Sequence, residues 1–201
     1  TNNGTNWTAV NSGLTNTDVR SIAVSGTNLF AGTYGGVFLS TNNGQSWTEA
    51  NNGLTDPYVR TLTVNGVNLY AGTEGGGGVF LSTNNGTNWS SIKNNLPNAA
   101  VYAVAGSGMY LLAGTEESGI FLSTDTGANW TAVNTGLPTN AIVYALHIEG
   151  SNFFAGIRRF GLFLSNNNCT SWTEINSGLT AIRIPSLATN TTNLFSGTND
   201  G

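Results

Sequence analysis

The sequence predicts an all-β protein, a β-propeller of four-stranded antiparallel blades, about five of them in 201 residues. Three observations carry that prediction. The five tryptophans, Trp7, Trp47, Trp89, Trp130 and Trp172, stand 40, 42, 41 and 42 residues apart. The stretch Ser40-Thr41-Asn42-Asn43-Gly44-Gln45-Ser46-Trp47 recurs at 82–89, at 123–130 and, degraded, at 165–172, and the chain opens inside a further copy at 1–7. Each interval has room for four short strands, which is the period of a propeller blade; leucine-rich repeats are roughly 20–29 residues long and a sandwich does not repeat in sequence.

The second repeat serves as the template. Trp47 to Ala50 reads as a short outer strand, and Asn51-Asn52-Gly53-Leu54 turns out of it. Val59 to Val64 is rich in Val, Thr and Leu, residues that suit a pleated sheet, and forms the inner strand. Asn65-Gly66 is a strong hairpin signal. Asn68 to Thr73 is then the second strand, Glu74 to Gly78 a loop, and Val79 to Ser82 the third strand. The remaining inner strands are expected at 19–24, 101–105, 143–148 and about 184–189. The apolar residues show neither a 3.6-residue period nor cap signatures, so no helix is expected. This count gives five inner, five second and five outer strands but four third strands. The expectation is a single propeller domain over 1–201, lacking the third strand of its last blade. A start inside a repeat, without an initiator Met, favours an excerpt of a longer array.

Composition narrows the partner classes. Six Lys and Arg residues against a formal charge of −4 cannot make a basic face for a phosphate backbone, so nucleic acid is not expected. No apolar run approaches the roughly 18 residues of a membrane helix, so no insertion is expected. The lone Cys169 forms no internal disulfide and supplies no cysteine metal site. His147 is read as a hydrogen-bonded strand residue, and the Asn-rich turns lack the convergent carboxylates of a calcium site. No metal and no cofactor is expected. Low charge with abundant Asn, Thr and Ser fits an extracellular or cell-surface protein; the sequence leaves the oligomeric state open.

In each recurring turn a Ser leads in, Asn or Asp at the third position folds its side chain back on the backbone, and a Gly such as Gly44 or Gly86 takes the left-handed conformation. The Trp is expected to pack beneath its own turn. This pattern resembles the Asp-box, or bacterial neuraminidase repeat, Ser-x-Asp-x-Gly-x-Thr-Trp, and the resemblance covers the whole chain. It implies a propeller like those of sialidases, xyloglucanases, sortilin-type receptors and photosystem assembly factors. Only Asp125 is the acid; Asn3, Asn42, Asn84 and Asn167 replace it elsewhere. Asn keeps the Asx geometry without the charge, so the box is read as a structural device. Cys169 at a Gly position should strain the last turn by about 1–2 kcal/mol.

Function is sought where the copies disagree. Loops between second and third strands share one face with the approaches to the inner strands, around the channel mouth and opposite the boxes. That face is expected to carry Arg20, Tyr34, Arg60, Glu74, Tyr102, Glu116, Tyr144, Arg158 and Arg159 as ligand-binding residues, with Asp18, Asp56, Glu117, Arg183 and Asp200 nearby. Asp18 and Asp56 are expected to pair with Arg20 and Arg60. The resulting reading is a non-catalytic recognition or adhesion module for glycans or a protein partner. A glycoside hydrolase related to sialidases or xyloglucanases is the alternative from another class. Arg20, Arg60 and Arg158 with Tyr34, Tyr102 or Tyr144 supply its parts, but Arg20 and Arg60 share a repeat phase with Tyr102 and Tyr144, as duplicated scaffold positions would. A purely architectural segment of a large surface protein is the third reading.

Overall fold

The computed structural model describes residues 4–179, 182–190 and 193–198. Asn3 and Asp200, named above, lie outside the described residues. All regular structure in it is strand, and no helix among the described residues is long and apolar enough to cross a membrane. The first blade is β1 (Val19–Ser25), β2 (Asn28–Thr33), β3 (Gly36–Ser40) and β4 (Thr48–Glu49). The second is β5 (Val59–Asn65), β6 (Asn68–Thr73), β7 (Val79–Ser82) and β8 (Ser90–Ser91). The third is β9 (Val101–Ser107), β10 (Tyr110–Thr115), β11 (Ile120–Ser123) and β12 (Thr131–Ala132). The fourth is β13 (Val143–Glu149), β14 (Asn152–Ile157), β15 (Gly161–Ser165) and β16 (Thr173–Glu174), and the fifth sheet holds β17 (Ser186–Thr189) and β18 (Leu194–Gly197). Every sheet is an antiparallel meander in chain order, as a β-propeller requires.

Among the described residues there are four outer strands rather than the five expected. The segment after Trp7 forms no strand: an outer strand needs a third strand beside it, and the described residues include none before it.

The core lies between blades. Phe30 and Val37 of the first blade pack with Val59, Leu62, Leu69, Phe80 and Trp89 of the second. Leu112 and Ile120 of the third pack with Val143, Phe153, Phe163 and Trp172 of the fourth. The second strand of each of the first four blades carries an Ala-Gly-Thr or Ala-Gly-Ile, and its Gly is where the next blade comes closest. A Cβ on Gly32 would stand 2.8 Å from Val59 Cγ1, one on Gly72 2.8 Å from Val101 Cγ1, and one on Gly114 2.5 Å from Val143 Cγ1. Val59, Val101 and Val143 are consequently fully or almost fully buried, whereas Val19 and Ile22 of β1 are 39% and 56% exposed, with no described blade before them.

The recurring turns follow one hydrogen-bond plan. The Ser40 hydroxyl donates to Asn42 Oδ1 at 2.9 Å and accepts from the Gly44 N–H at 2.9 Å, while Asn42 Oδ1 also accepts from the Ser46 N–H at 3.0 Å. Ser82 with Asn84, Ser123 with Asp125, and Ser165 with Asn167 repeat it. Two consecutive residues are left-handed, not the Gly alone: Asn43, Asn85, Thr126 and Asn168 precede it at φ of 57°, 54°, 60° and 55°. Asn tolerates this region, but β-branched Thr126 is a strained exception. Cys169 holds the Gly position at φ 63°.

The tryptophans do more than cover their own turns. Trp47, Trp89, Trp130 and Trp172 are buried, and each indole N–H donates to a carbonyl of the preceding repeat, at Val10, Ala50, Ile92 and Val133. The Trp47, Trp89 and Trp172 main chains add a second bond backward, to Ser12, Asn52 and Thr135. Trp7 departs from the expected role: it is 90% exposed, because no earlier blade stands among the described residues to receive it.

Candidate functional site

The inner strands pack side by side, β1 on β5, β5 on β9, β9 on β13 and β13 on β17. Together they line a cavity of about 650 Å³ that takes residues from all five. The register of each of the first four inner strands is irregular just after Val19, Val59, Val101 and Val143, and the residue that follows each of these lines the cavity. In four blades that residue is Arg20, Arg60, Tyr102 and Tyr144. Ser21, Thr61, Ala103 and Ala145 follow, and their small side chains leave the space open.

Around this mouth the loops deliver side chains that interlock from blade to blade. The Arg20 guanidinium sits over the Tyr34 ring at 4.4 Å and pairs with Asp18 at 2.7 Å. The Tyr34 hydroxyl donates to Glu74 of the second blade, and its ring meets Tyr58 edge-on at 5.8 Å. Glu74 in turn forms an ion pair with Arg60, Oε1 to Nε 3.4 Å, and Arg60 sits over the Tyr102 ring at 5.5 Å. The Tyr102 hydroxyl donates to Glu116 at 2.8 Å, and the Tyr102 and Tyr144 rings lie 5.6 Å apart. Arg183 closes the series over Tyr144 at 5.3 Å. Such cation–π contacts hold a guanidinium flat while leaving its edge free to donate. Seven of the nine expected ligand-binding residues, Arg20, Tyr34, Arg60, Glu74, Tyr102, Glu116 and Tyr144, thus form one continuous belt.

The belt's electrostatics bear on chemistry. The hydrogen bond to Glu74 raises the Tyr34 pKa, and burial followed by the bond to Glu116 raises that of Tyr102 well above the usual phenol range. Both phenols are therefore protonated at neutral pH, each with a carboxylate as its acceptor.

Asp56 corrects one expectation. It does not pair with Arg60. Its buried carboxylate accepts from the N–H groups of Tyr58 and Gly77, at 3.2 and 2.9 Å. In the first, third and fourth blades the loop after the second strand is pinned by Asn51, Asn134 and Asn176, whose Oδ1 accepts from Val37, Ile120 and Leu162 at 2.7 Å. The second blade has Lys93 at that position, and Asp56 with the four glycines Gly75 to Gly78 replaces the missing pin. The Asp56 carboxylate is thereby occupied by main-chain N–H groups, and Arg60 pairs with Glu74 instead.

The profile of the DUF6242 beta propeller domain matches residues 1–106 and again 51–153, overlapping as an array of similar repeats would. The chain belongs to the DUF6242 β-propeller domain family. A comparison with curated protein sequences finds no match. Among solved structures, this DUF6242 propeller is similar to the extracellular domain of the putative one-component system BT4673 from B. thetaiotaomicron, with a TM-score of 0.74 and 19% identity, covering 90% of this chain and 26% of that one. It is also similar to an ancestral GH74 enzyme, with a TM-score of 0.73 and 20% identity over 94% of this chain and 30% of the enzyme. YCF48 bound to D1 peptide follows at 0.62 and 17%, covering 89% and 60%. The chain spans about a quarter of the length of the BT4673 domain. These similarities establish the fold.

The other two expected residues of this DUF6242 chain stand apart from the belt. Arg158 and Arg159 project from the loop between β14 and β15, with Arg159 left-handed at φ 66°. The loop is fixed by bonds from the Arg158 N–H to the Ile142 carbonyl, 2.9 Å, and from the Gly161 N–H to the Ile182 carbonyl, 3.2 Å. Exposed Phe160 and Ile182, 47% and 51%, complete this sector beside Arg183. Neither apolar residue was among the expected ligand-binding residues; a large side chain at a loop position that is Gly, Gly and Ser in the first three blades was the signal available.

His147 is a bonded strand residue: its Nε2 meets Thr189 Oγ1 at 2.8 Å, and the Thr189 hydroxyl donates to Glu149 at 2.9 Å, joining the fourth and fifth sheets.

Proposed function

We propose that this chain is an extracellular recognition module of the Asp-box type, binding a glycan or protein ligand at the channel mouth without catalysing a reaction. The observation that carries the reading is the belt itself, Arg20–Tyr34–Glu74–Arg60–Tyr102–Tyr144, spanning four blades around a cavity of about 650 Å³. Concave, pre-ordered sites rich in Tyr and Arg are what ligand and partner binding use. Belt positions also vary between copies whose framework is otherwise constant, which is how an array of equal blades acquires one specific face. Support for the Asp-box assignment is the shared Ser–Asn/Asp–Gly–Trp hydrogen-bond plan of the turns. Support for an extracellular setting is the composition together with the fold shared with BT4673's extracellular domain.

The test pairs a glycan array and a partner pull-down with turnover of fluorogenic glycosides. Binding that Glu74→Ala and Arg60→Ala weaken, without turnover, supports the proposal. Hydrolysis abolished by Arg60→Ala or Tyr102→Phe overturns it in favour of an enzyme. Binding indifferent to Glu74→Ala, Arg60→Ala and Arg158→Ala overturns the choice of face.

A further inference from the structure

The mouth face is not electrically uniform. In the first three blades the mouth arginines are matched, Arg20 by Asp18 and Arg60 by Glu74, and Glu116 and Glu117 add negative charge. The sector shared by the fourth blade and the approach to the fifth reverses this. Arg158, Arg159 and Arg183 are all exposed there, and among the described residues none has a carboxylate within ion-pair distance. Between them stand Phe160 and Ile182, each about half exposed.

The sector is also rigid. Besides the backbone bonds to Ile142 and Ile182, Asn176 Nδ2 donates to the Phe160 carbonyl at 2.7 Å, and the Phe160 N–H donates to the Ile157 carbonyl at 3.1 Å. Arg159 is held left-handed, a conformation that costs an L-residue energy and that clusters at binding sites when the surroundings enforce it. Arg183 is fixed on the Tyr144 ring. Pre-ordered side chains lose little entropy on binding.

We infer that this sector is a docking site for an acidic, apolar-bearing polypeptide segment, with carboxylates on Arg158, Arg159 and Arg183 and an aromatic or branched side chain against Phe160 and Ile182. Charge complementarity chooses the sign: three unmatched guanidiniums on a chain of net charge −4 attract anions locally, and the planar fork of Arg suits carboxylates. The two apolar side chains choose the class. Arg with aromatic and large aliphatic residues is the composition of protein–protein hot spots, whereas a uronic or sulfated polysaccharide has no apolar side chain to set against Phe160 and Ile182.

This inference rests on the mouth face being the binding face, and the experiment separates the two. The whole 201-residue chain is titrated against a fluorescein-labelled short peptide alternating glutamate with phenylalanine. Its lysine counterpart, polyglutamate and polygalacturonate serve as comparison probes, and circular dichroism checks each variant. Binding of the glutamate–phenylalanine peptide should exceed that of polyglutamate, weaken with added salt, and fall about tenfold or more with R158E/R159E. The milder Arg158→Gln with Arg183→Gln should reproduce part of the loss, while Lys93→Gln, an exposed cation of the second blade outside the belt and the sector, leaves affinity unchanged. No binding of the peptide, or binding that survives both variant pairs, overturns the inference. Polygalacturonate binding more tightly than the peptide overturns the choice of a polypeptide. Should binding follow Arg60→Ala and Tyr102→Ala instead, the sector fails while the mouth-face reading stands; indifference to both sets of variants removes both.

Discussion

The Trp89 indole N–H donates to the main-chain carbonyl of Ala50 at 2.8 Å, 39 residues earlier and one blade back. The same main chain bonds the Asn52 carbonyl, and Gly53, at φ 83°, lies so close that a Cβ on it would stand 2.2 Å from the Trp89 carbonyl oxygen. Trp89, Trp130 and Trp172 therefore each fasten two blades at the rim, where the short outer strands alone would leave little holding them.

Trp89→Ala is expected to destabilise the chain by about 3–5 kcal/mol, since a buried indole leaves a large cavity. Trp89→Phe, which removes the N–H and leaves the Ala50 carbonyl without its donor, should cost about 1–3 kcal/mol. Trp7→Phe should change stability by less than about 0.5 kcal/mol, because Trp7 is exposed. Urea denaturation of the three variants checks the order.

At the inner end the blades meet through glycine. A Cβ on Gly72 would lie 2.7 Å from Thr61 Cγ2, 2.8 Å from Val101 Cγ1 and 3.1 Å from Val104 Cγ2. Gly72→Ala is expected to cost about 1–3 kcal/mol through overpacking. Val101→Ala should cost a comparable amount by opening a cavity in the same interface. The double variant should lose less than the sum of the two, as the new methyl fills part of the space; additive losses in urea midpoints would contradict a direct contact across the interface.

The tryptophan spacing and the Asn65-Gly66 turn made the blade legible in the sequence, because a repeated unit advertises its own length. Which blade a Trp bonds to was not legible. In a periodic chain a contact within a copy and a contact to the previous copy use the same residue types. The close approach of the next blade at Gly72 was not legible for the same reason. At the mouth, Arg20 and Tyr102 were identifiable as variable positions in a constant frame. The pairing of Arg60 with Glu74 rather than Asp56 was not, since it depends on Lys93 having displaced the asparagine that pins the loop in other blades. Phe160 and Ile182 escaped notice because polar and charged loop residues were taken as the binding signal.

Asp125 makes one box sensitive to acid. Hydrogen bonds from the Asn129 side chain, then from the Asn129 main chain and the Ser123 hydroxyl, lower its pKa from 3.8 to about 2. A carboxyl whose folded value lies below its unfolded value contributes stability above about pH 4 and loses it as pH falls through about 2. Asp125→Asn removes that dependence while keeping the turn that Asn42 builds elsewhere. The thermal midpoint of the wild-type chain should therefore fall towards that of Asp125→Asn as pH is lowered from 5 to 2; a constant gap would show that the charge is not involved.

Cys169 sits left-handed at φ 63° in the position where the other boxes have Gly44, Gly86 and Gly127, and its side chain is buried against the fourth-blade core. Burial pushes the thiol up to about 12. At pH 8 both the thiolate fraction and access are then too small for attack on a disulfide reagent, so Cys169 should be silent to it in the native chain and react fully in denaturant. Cys169→Gly relieves about 1–2 kcal/mol of backbone strain but gives up the burial of the thiol, so the two effects oppose each other. Cys169→Ala retains the strain and loses the sulfur, and it should be the less stable of the two variants in urea. Rapid native labelling would show instead that the fourth blade opens locally at this turn.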